Sequence, residues 1–569
     1  MWERLVTPLS IILALLCWTF ILLILEQRKV LEKLNMSRIW FLALMWRTKK
    51  GTGLIERVAS PKKFWTNLAN FGFILFFSGM LLMYVMLAIS AFITLTSPLV
   101  RPVGAKEVLV LPGINPYVPF IYGLIGLVVA VVAHELSHGI IAKAEGFKVK
   151  ALGLLFILIP VGAFMEPDEE EVNKGPRRSR MRMFTAGPMI NFFLAFLFLG
   201  LFSWGMMASL GAEDDPMIIT DIATTSPFHT ALEEHPKAIY TVNGTEIHSY
   251  SDLYSIEGIY PGTWVNSTIK VNGDRMTFPA LGGILVSNVG EDTPAEKAMM
   301  KEGSILVSMD GQVLYNSEVF HDLMEETVRG QIVNLTVLVP YYTPDGKEII
   351  LNGTYPYPIP AADSGNGTEF LPPNGYQNMF LQTYNIELDN KYEYVPLEQF
   401  KGKGYIGIAS SYMGLAGVGS EQLIDQIAHP ISSADSFSEG FFNVLYITFR
   451  LPLETKIMPF HDPLTDIYEV QGPLSFMPEG AFWFLANTMF YIFWLNILLG
   501  LFNALPMIPL DGGFVFRDAT VLLLKKFMKG RKEEDLENTA RRISAIASFS
   551  VLGLILISIF WPWIRVFFI

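Results

Sequence analysis

The chain has 569 residues, of which 51% are hydrophobic and only 17% charged, with a single cysteine and a formal charge of −12. Soluble domains carry about 25% charged residues, so this composition excludes a compact cytosolic protein and a disordered chain, and makes the lipid bilayer part of the surroundings. One cysteine, Cys17, excludes a disulfide scaffold and a multi-cysteine metal site. The negative balance argues against nucleic acid as a partner.

A helix needs about 20 apolar residues to cross a membrane. Six stretches qualify: Pro8–Leu25, Phe71–Leu95, Pro119–Ala142, Phe184–Leu210, Phe482–Pro506 and Ile543–Phe567. The first reads as a span and not as a cleaved leader, because no small-residue cleavage site follows it and its basic residues come after it. Lys and Arg collect after the first span (Arg28 to Lys63), the third (Lys143 to Arg182) and the fifth (Lys525 to Arg542), and are sparse elsewhere around the spans. Basic loops stay in the cytosol. The pattern therefore predicts that both termini, and the long segment between the fourth and fifth spans, lie outside it. That segment differs in charge: Gly211–Ala481 carries 36 Asp and Glu against 12 Lys and Arg, while the remainder carries 18 against 30. Glycosylation sequons at Asn243, Asn266, Asn334, Asn352 and Asn366 all fall within it.

The third span is apolar except for His134, Glu135 and His138; the other six of the eight histidines lie in the acidic segment. Ionisable groups inside a span are costly, and so point to function. Two histidines four residues apart project from one helix face, where both imidazoles can hold one Zn²⁺, and Glu135 can act on an attacking water. A catalytic zinc usually takes three protein ligands, so a third is expected from another segment. The fifth span ends Asn503-Ala-Leu-Pro-Met-Ile-Pro-Leu-Asp511-Gly-Gly. Pro506 and Pro509 break the helix there, and the glycines allow close approach of a neighbouring segment. By the charge pattern the third and fifth spans both run outside to inside, so His134, His138 and Asp511 fall at one depth, toward the cytosol.

Taken together, His134-Glu-Leu-Ser-His138 in a span, Ala186-Gly-Pro-Met-Ile-Asn191 opening the next, and the Asn503–Gly513 stretch resemble the site-2 protease family of intramembrane zinc metalloproteases. The resemblance covers the third, fourth and fifth spans. It implies one zinc per chain held by His134, His138 and Asp511, with Glu135 as general base. It also implies that Asn503 holds the substrate backbone, that Asn191 has a supporting or oxyanion-binding role, and that the substrates are membrane-anchored proteins cut within or near their spans. Leu152–Glu166, apolar and interrupted by Pro160 and Gly162, is too short to span; it reads either as a hairpin whose free edge can take up an extended substrate or as an interfacial loop, and the resemblance favours the hairpin.

In the acidic segment, Ser226–Leu253 and Thr293–Met324 look like two copies of one unit: small residue and Pro, short helix, apolar strand ending in Asn-Gly or Asp-Gly, then a helix. Both resemble PDZ domains. The first departs from the pattern at Glu234–Lys237, and neither has a clear carboxylate-binding glycine loop. Tyr341–Phe400 reads as a long loop, Lys403–Ala409 as a returning strand, and Phe441–Pro452 as an amphipathic, partly inserted segment.

The expected architecture is thus a polytopic α-helical membrane protein of about six spans with an extracytoplasmic α/β insert of two PDZ-like modules. Residues 1–115 would form an N-terminal helix pair and 116–210 the half bearing the histidines. Residues 211–412 would form the tandem insert, 413–481 a connector, and 482–569 the Asp511-bearing span with the last span. The expected setting is the cell membrane, with the site near the cytosolic side. Two other functions fit parts of this pattern. One is a membrane-embedded protease for prenylated C-termini, which would take its third ligand from a downstream Glu or His. The other is an inactive membrane scaffold, against which the intact His134, Glu135, His138 and Asp511 set argues.

Overall fold

The computed structural model describes residues 8–568 except 40–42, 49–51, 97–101, 109, 158, 227–237, 257–258, 272–273, 341–378, 396–397, 435 and 452–464. Two units emerge: Met1–Gly205 with Leu451–Pro459 and Phe484–Ile569, and Met206–Arg450 with Phe460–Trp483. Among the described residues, five helices are long and apolar enough to cross a membrane, at Lys62–Thr96, Phe120–Ala144, Arg177–Ser209, Glu479–Ala504 and Glu533–Arg565. The chain is a polytopic helical membrane protein.

The first unit opens with α1 (Pro8–Gln27), a 20-residue helix where the first span was expected. Strands β1 (Met36–Ile39) and β2 (Ala43–Thr48) follow, then α2 (Lys62–Thr96) and α3 (Phe120–Ala144). Next come β3 (Val149–Ile157) and β4 (Ile159–Pro167), and then α4 (Arg177–Gly200), which continues through a π-helical turn at Leu201–Met206. The Leu152–Glu166 segment is a hairpin: β3 and β4 pair antiparallel with Leu152 opposite Met165. Its sheet is wider than the sequence implied. The order is β1-β2-β3-β4, with the two extra strands supplied by the basic loop after α1. Gly153 makes this possible, since a Cβ there would lie 2.2 Å from the carbonyl oxygen of Trp46 on β2. Strand β4 is left as an outer edge.

The second unit holds two six-stranded sheets. The first contains β5 (Met217–Ile222), β6 (Ala238–Val242), β7 (Thr245–Glu246), β8 (Trp264–Val271) and β9 (Asp274–Leu281), with α5 (Tyr250–Ser255) before β8. The second contains β10 (Ile284–Val289), β11 (Ile305–Met309), β12 (Gln312–Val313), β13 (Ile332–Pro340), β14 (Met379–Glu387) and β15 (Ile408–Tyr412). Helix α6 (Pro294–Lys297) precedes β11 and α7 (Ser317–Glu326) precedes β13. Strand β16 (Leu415–Gly419) then returns to the first sheet.

The strand orders are β9-β8-β6-β5-β16, with β7 beside β6, and β14-β13-β11-β10-β15, with β12 beside β11. They match strand for strand, so the repeat read in the sequence is a repeat of topology. Each copy turns at the same place. Asn243-Gly244 (φ 48° and 80°) and Asp310-Gly311 (φ 49° and 84°) take the two successive left-handed conformations of a tight hairpin, which these residue types tolerate. Val242, Ile239, Leu306, Leu335 and Leu415 belong to one apolar cluster shared by both sheets.

Three details differ from the sequence reading. The stretch read as a long loop contains a strand, since β14 pairs with β13 over nine residues; residues 341–378 lie outside the described set. The second sheet is nested within the first, whose last strand β16 lies beyond residue 412. Of the segment Phe441–Pro452, the first residues lie on a short helix, α9 after α8 (Ser420–Ala428), which runs Phe437–Leu445 and leads into a π-helical turn at Tyr446–Arg450, and Pro452 lies outside the described residues. The departing turn at residues 234–237 lies outside the described residues.

The chain completes the first unit with α10 (Glu479–Ala504), α11 (Asp511–Phe527) and α12 (Glu533–Phe568). Small residues set how closely these pack. A Cβ on Gly126 of α3 would lie 2.7 Å from the carbonyl oxygen of Tyr491 on α10, and one on Gly79 of α2 would lie 2.6 Å from the Phe192 ring on α4.

Candidate active site

His134 and His138 stand one turn apart on α3, both buried, with ring centroids 4.7 Å apart. The break after α10 delivers Asp511 as the first residue of α11. Its Oδ2 lies 3.1 Å from His134 Nε2 and 3.3 Å from His138 Nε2. The three donor atoms lie within 4.8 Å of one another. Residues separated by more than 370 positions thus converge.

Helix α4 supplies the surroundings. His138 Nδ1–H donates to the carbonyl of Met183 at 2.7 Å, which leaves Nε2 with its lone pair toward Asp511 and His134. Ser137 Oγ donates to the carbonyl of Ala186 at 2.9 Å and pins the same turn. Gly187 explains how the backbone of α4 can pass so near. A Cβ there would sit 2.5 Å from both Nε2 atoms, in the space a bound ion's surroundings need. The tautomer of His138, the converging donors and the room left by Gly187 all fit a metal held by two imidazoles and one carboxylate.

Glu135, between the two histidines in sequence, also reaches the sheet. Its Oε2 accepts the backbone N–H of Met165 on β4 at 2.8 Å. That N–H therefore leaves the β3–β4 ladder and points off the free edge. Asn191, one turn beyond Gly187, is fully buried with both amide atoms unpartnered. Asn503, in the last turn of α10, donates its amide to the carbonyl of Leu499 at 3.1 Å.

A further pair, not legible from local sequence pattern, fixes α11. Arg180 near the start of α4 meets Asp518 on α11 through two hydrogen bonds, Nη2 to Oδ1 at 2.6 Å and Nε to Oδ2 at 3.0 Å. Both residues are buried. The pair lies two turns from Asp511 on the same helix. Gly187, Met183 and the Met165 N–H were equally invisible as partners, although the Gly-Pro-Met-Ile-Asn stretch marked the right turn of α4.

Residues 122–549 match peptidase family M50. The chain belongs to this family. M50 membership makes it an integral membrane metallopeptidase by class, in agreement with its apolar helices. Over 246 residues it is 29% identical to an uncharacterized protein of Methanocaldococcus jannaschii, a match covering 43% of this chain and 62% of that one. Over 140 residues it is 24% identical to an Arabidopsis thaliana protein called a membrane-bound transcription factor site-2 protease homolog, covering 24% of this chain and 27% of that one. The matched stretches thus span less than two thirds of either relative.

Proposed function

We propose that this M50 protein is an intramembrane zinc endopeptidase that hydrolyses peptide bonds within or near the spans of membrane-anchored proteins. The observation carrying this reading is the convergence of His134, His138 and Asp511 beside Glu135, with the edge of β4 at the same carboxylate. His134, His138 and Asp511 would hold one zinc per chain. The metal supplies a Lewis acid that lowers the pKa of water and polarises a carbonyl.

The other steps belong to the chain. A substrate span unwinds and adds to the outer edge of β4 as an extended strand, which frees its peptide bonds from helical hydrogen bonding. Glu135 takes a proton from the attacking water at a carboxylate oxygen and returns it to the leaving amine. Asn503 turns its amide from Leu499 to the substrate backbone, and the unpartnered amide of Asn191 supports the developing negative charge. Helices crossing the bilayer tolerate an open strand edge only where it is sheltered by protein or lines a cavity, which agrees with such a binding role.

By the distribution of Lys and Arg, the site lies toward the cytosol and the two-sheet insert and both termini lie outside, in the cell membrane. The insert comprises two PDZ-like modules that select substrates, and the products are regulators released from the membrane. The test is Glu135→Gln in the full chain. Cleavage of a single-span reporter should fall by about 10²-fold or more with zinc content near one per chain; undiminished turnover would remove the assigned base.

A further inference from the structure

Beside the turn that delivers Asp511 lies a cavity of about 390 Å³ whose lining combines basic and hydroxylic residues with apolar ones. Arg517 of α11 and Arg541 of α12 line it with Ser544 and Ser548, and Ile508 and Phe549 form the apolar part. Among the described residues, no acidic one lines it. Among the described residues, neither guanidinium forms an ion pair with a carboxylate. The carboxylates nearest in sequence have closer partners: Asp518 holds Arg180, and Glu537, whose charge also feels Arg541, binds Arg177 at 2.7 Å.

The hydroxyls point to a missing partner. Ser544 is 2% exposed, and its Oγ has no hydrogen-bond partner. A buried hydroxyl left without a partner is costly, so an acceptor in the cavity would satisfy it. Ser548 Oγ already accepts the N–H of Ile508 at 3.2 Å and donates to the carbonyl of Ser544 at 2.9 Å. Two guanidiniums and a free hydroxyl suit a phosphate, whose oxygens accept several charge-assisted bonds.

The apolar side decides between a free anion and an amphiphile. Phe549 is 73% exposed, and it begins a stripe that continues down α12 through Leu552, Leu556 and Phe560, all exposed. A free phosphate would leave this stripe and Ile508 unused. A phospholipid would place its headgroup on the arginines and an acyl chain along the stripe.

We propose that this cavity is a binding site for an anionic phospholipid, with the phosphate between Arg517 and Arg541 and an acyl chain on the Phe549–Phe560 face. Basic pockets between helices near the cytosolic end of a bundle recognise such headgroups. The binding claim stands apart from the protease reading and is tested without activity.

The experiment is native mass spectrometry of the full-length protein in mild detergent. The probes are phosphatidylglycerol, phosphatidylcholine, glycerol 1-phosphate and inorganic phosphate. Phosphatidylglycerol should bind at one site, tighter than phosphatidylcholine and both water-soluble phosphates. R517Q/R541Q should weaken it by about tenfold or more. R517K/R541K should recover part of the loss, because charge is kept while the guanidinium fork is not. F549S should weaken lipid binding and leave glycerol 1-phosphate unchanged. Equal lipid retention by R517Q/R541Q, at unchanged thermal stability, would overturn the site. Inorganic phosphate binding as tightly as the lipid would overturn the assignment of its ligand.

Discussion

The backbone N–H of Met165 on the edge of β4 donates to the carboxylate of Glu135 on α3 at 2.8 Å. Edge strand and acidic group are therefore one structure: whatever adds to β4 arrives beside that carboxylate. In a regular antiparallel pair, outward N–H groups recur at every second residue, so Ala163 offers the next anchoring position along the edge.

This arrangement separates a backbone role from a side-chain role at position 165. Met165→Pro removes the outward donor without touching the β3–β4 ladder, and proline is tolerated at such edge positions. A hydrogen bond to a charged acceptor contributes about 1.5–3 kcal/mol. Turnover of a membrane-anchored substrate should therefore fall by about 10- to 100-fold in Met165→Pro, with metal content unchanged. Met165→Ala should retain most activity. Equal loss in both variants would assign the effect to packing of the side chain.

Gly187 is the most exacting position near the proposed metal. Its missing Cβ leaves the 2.5 Å approach to both imidazole Nε2 atoms open. Gly187→Ala must displace α4 or the rings, and metal affinity should weaken by about 10- to 100-fold, the usual cost of a disturbed ligand surround. Gly553→Ala on α12, where nothing lies within 4 Å of the added carbon, is the matched control. Chelator titration with elemental analysis reads both, and tight metal retention in Gly187→Ala would contradict this account of α4.

Arg180 and Asp518 illustrate why part of the site could not be read in advance. The two histidines and Asp511 announce themselves by type, by spacing and by the broken helix around Pro506 and Pro509. The hairpin at Leu152–Glu166 shows in its length and its Pro160–Gly162 interruption. Helical and strand periodicities are local, however, and the Arg180–Asp518 pair joins positions 338 apart in sequence. The same limit hid β1 and β2, since the pairing of β2 with β3 depends on Gly153 lying flat against Trp46. It also hid β14 and β16, which pair across long intervening stretches. The paired repeat was legible because Asn243-Gly244 and Asp310-Gly311 mark the same turn in each copy.

Breaking the Arg180–Asp518 pair from one side leaves a buried charge without its two-bond partner, Asp518 keeping only Arg177 Nη1 at 3.8 Å. Arg180→Ala or Asp518→Ala should each destabilise the protein by about 3–5 kcal/mol. Arg180→Met with Asp518→Leu should recover much of that loss, since neither charge is then left alone. Thermal unfolding in detergent, read as a double-mutant cycle, checks the coupling; additive losses would show that the two residues act separately.

The two sheets of the second unit share one apolar cluster, in which Leu335 is fully buried. Leu335→Ala should cost about 2–5 kcal/mol there. The residues proposed to hold the metal belong to the first unit, so metal content should stay unchanged while the insert becomes more sensitive to limited proteolysis. Loss of metal in this variant would show that the units fold as one.

The central claim is that two imidazoles of α3 and the carboxylate opening α11 hold a single zinc. Zinc K-edge absorption on the purified full-length protein, with metal content measured on the same samples, tests it most directly. The account predicts one zinc per chain with two imidazole nitrogens and a carboxylate oxygen among its ligands, and a changed ligand set with weakened retention in Asp511→Ala. Full zinc content and an unaltered ligand set in Asp511→Ala would contradict it.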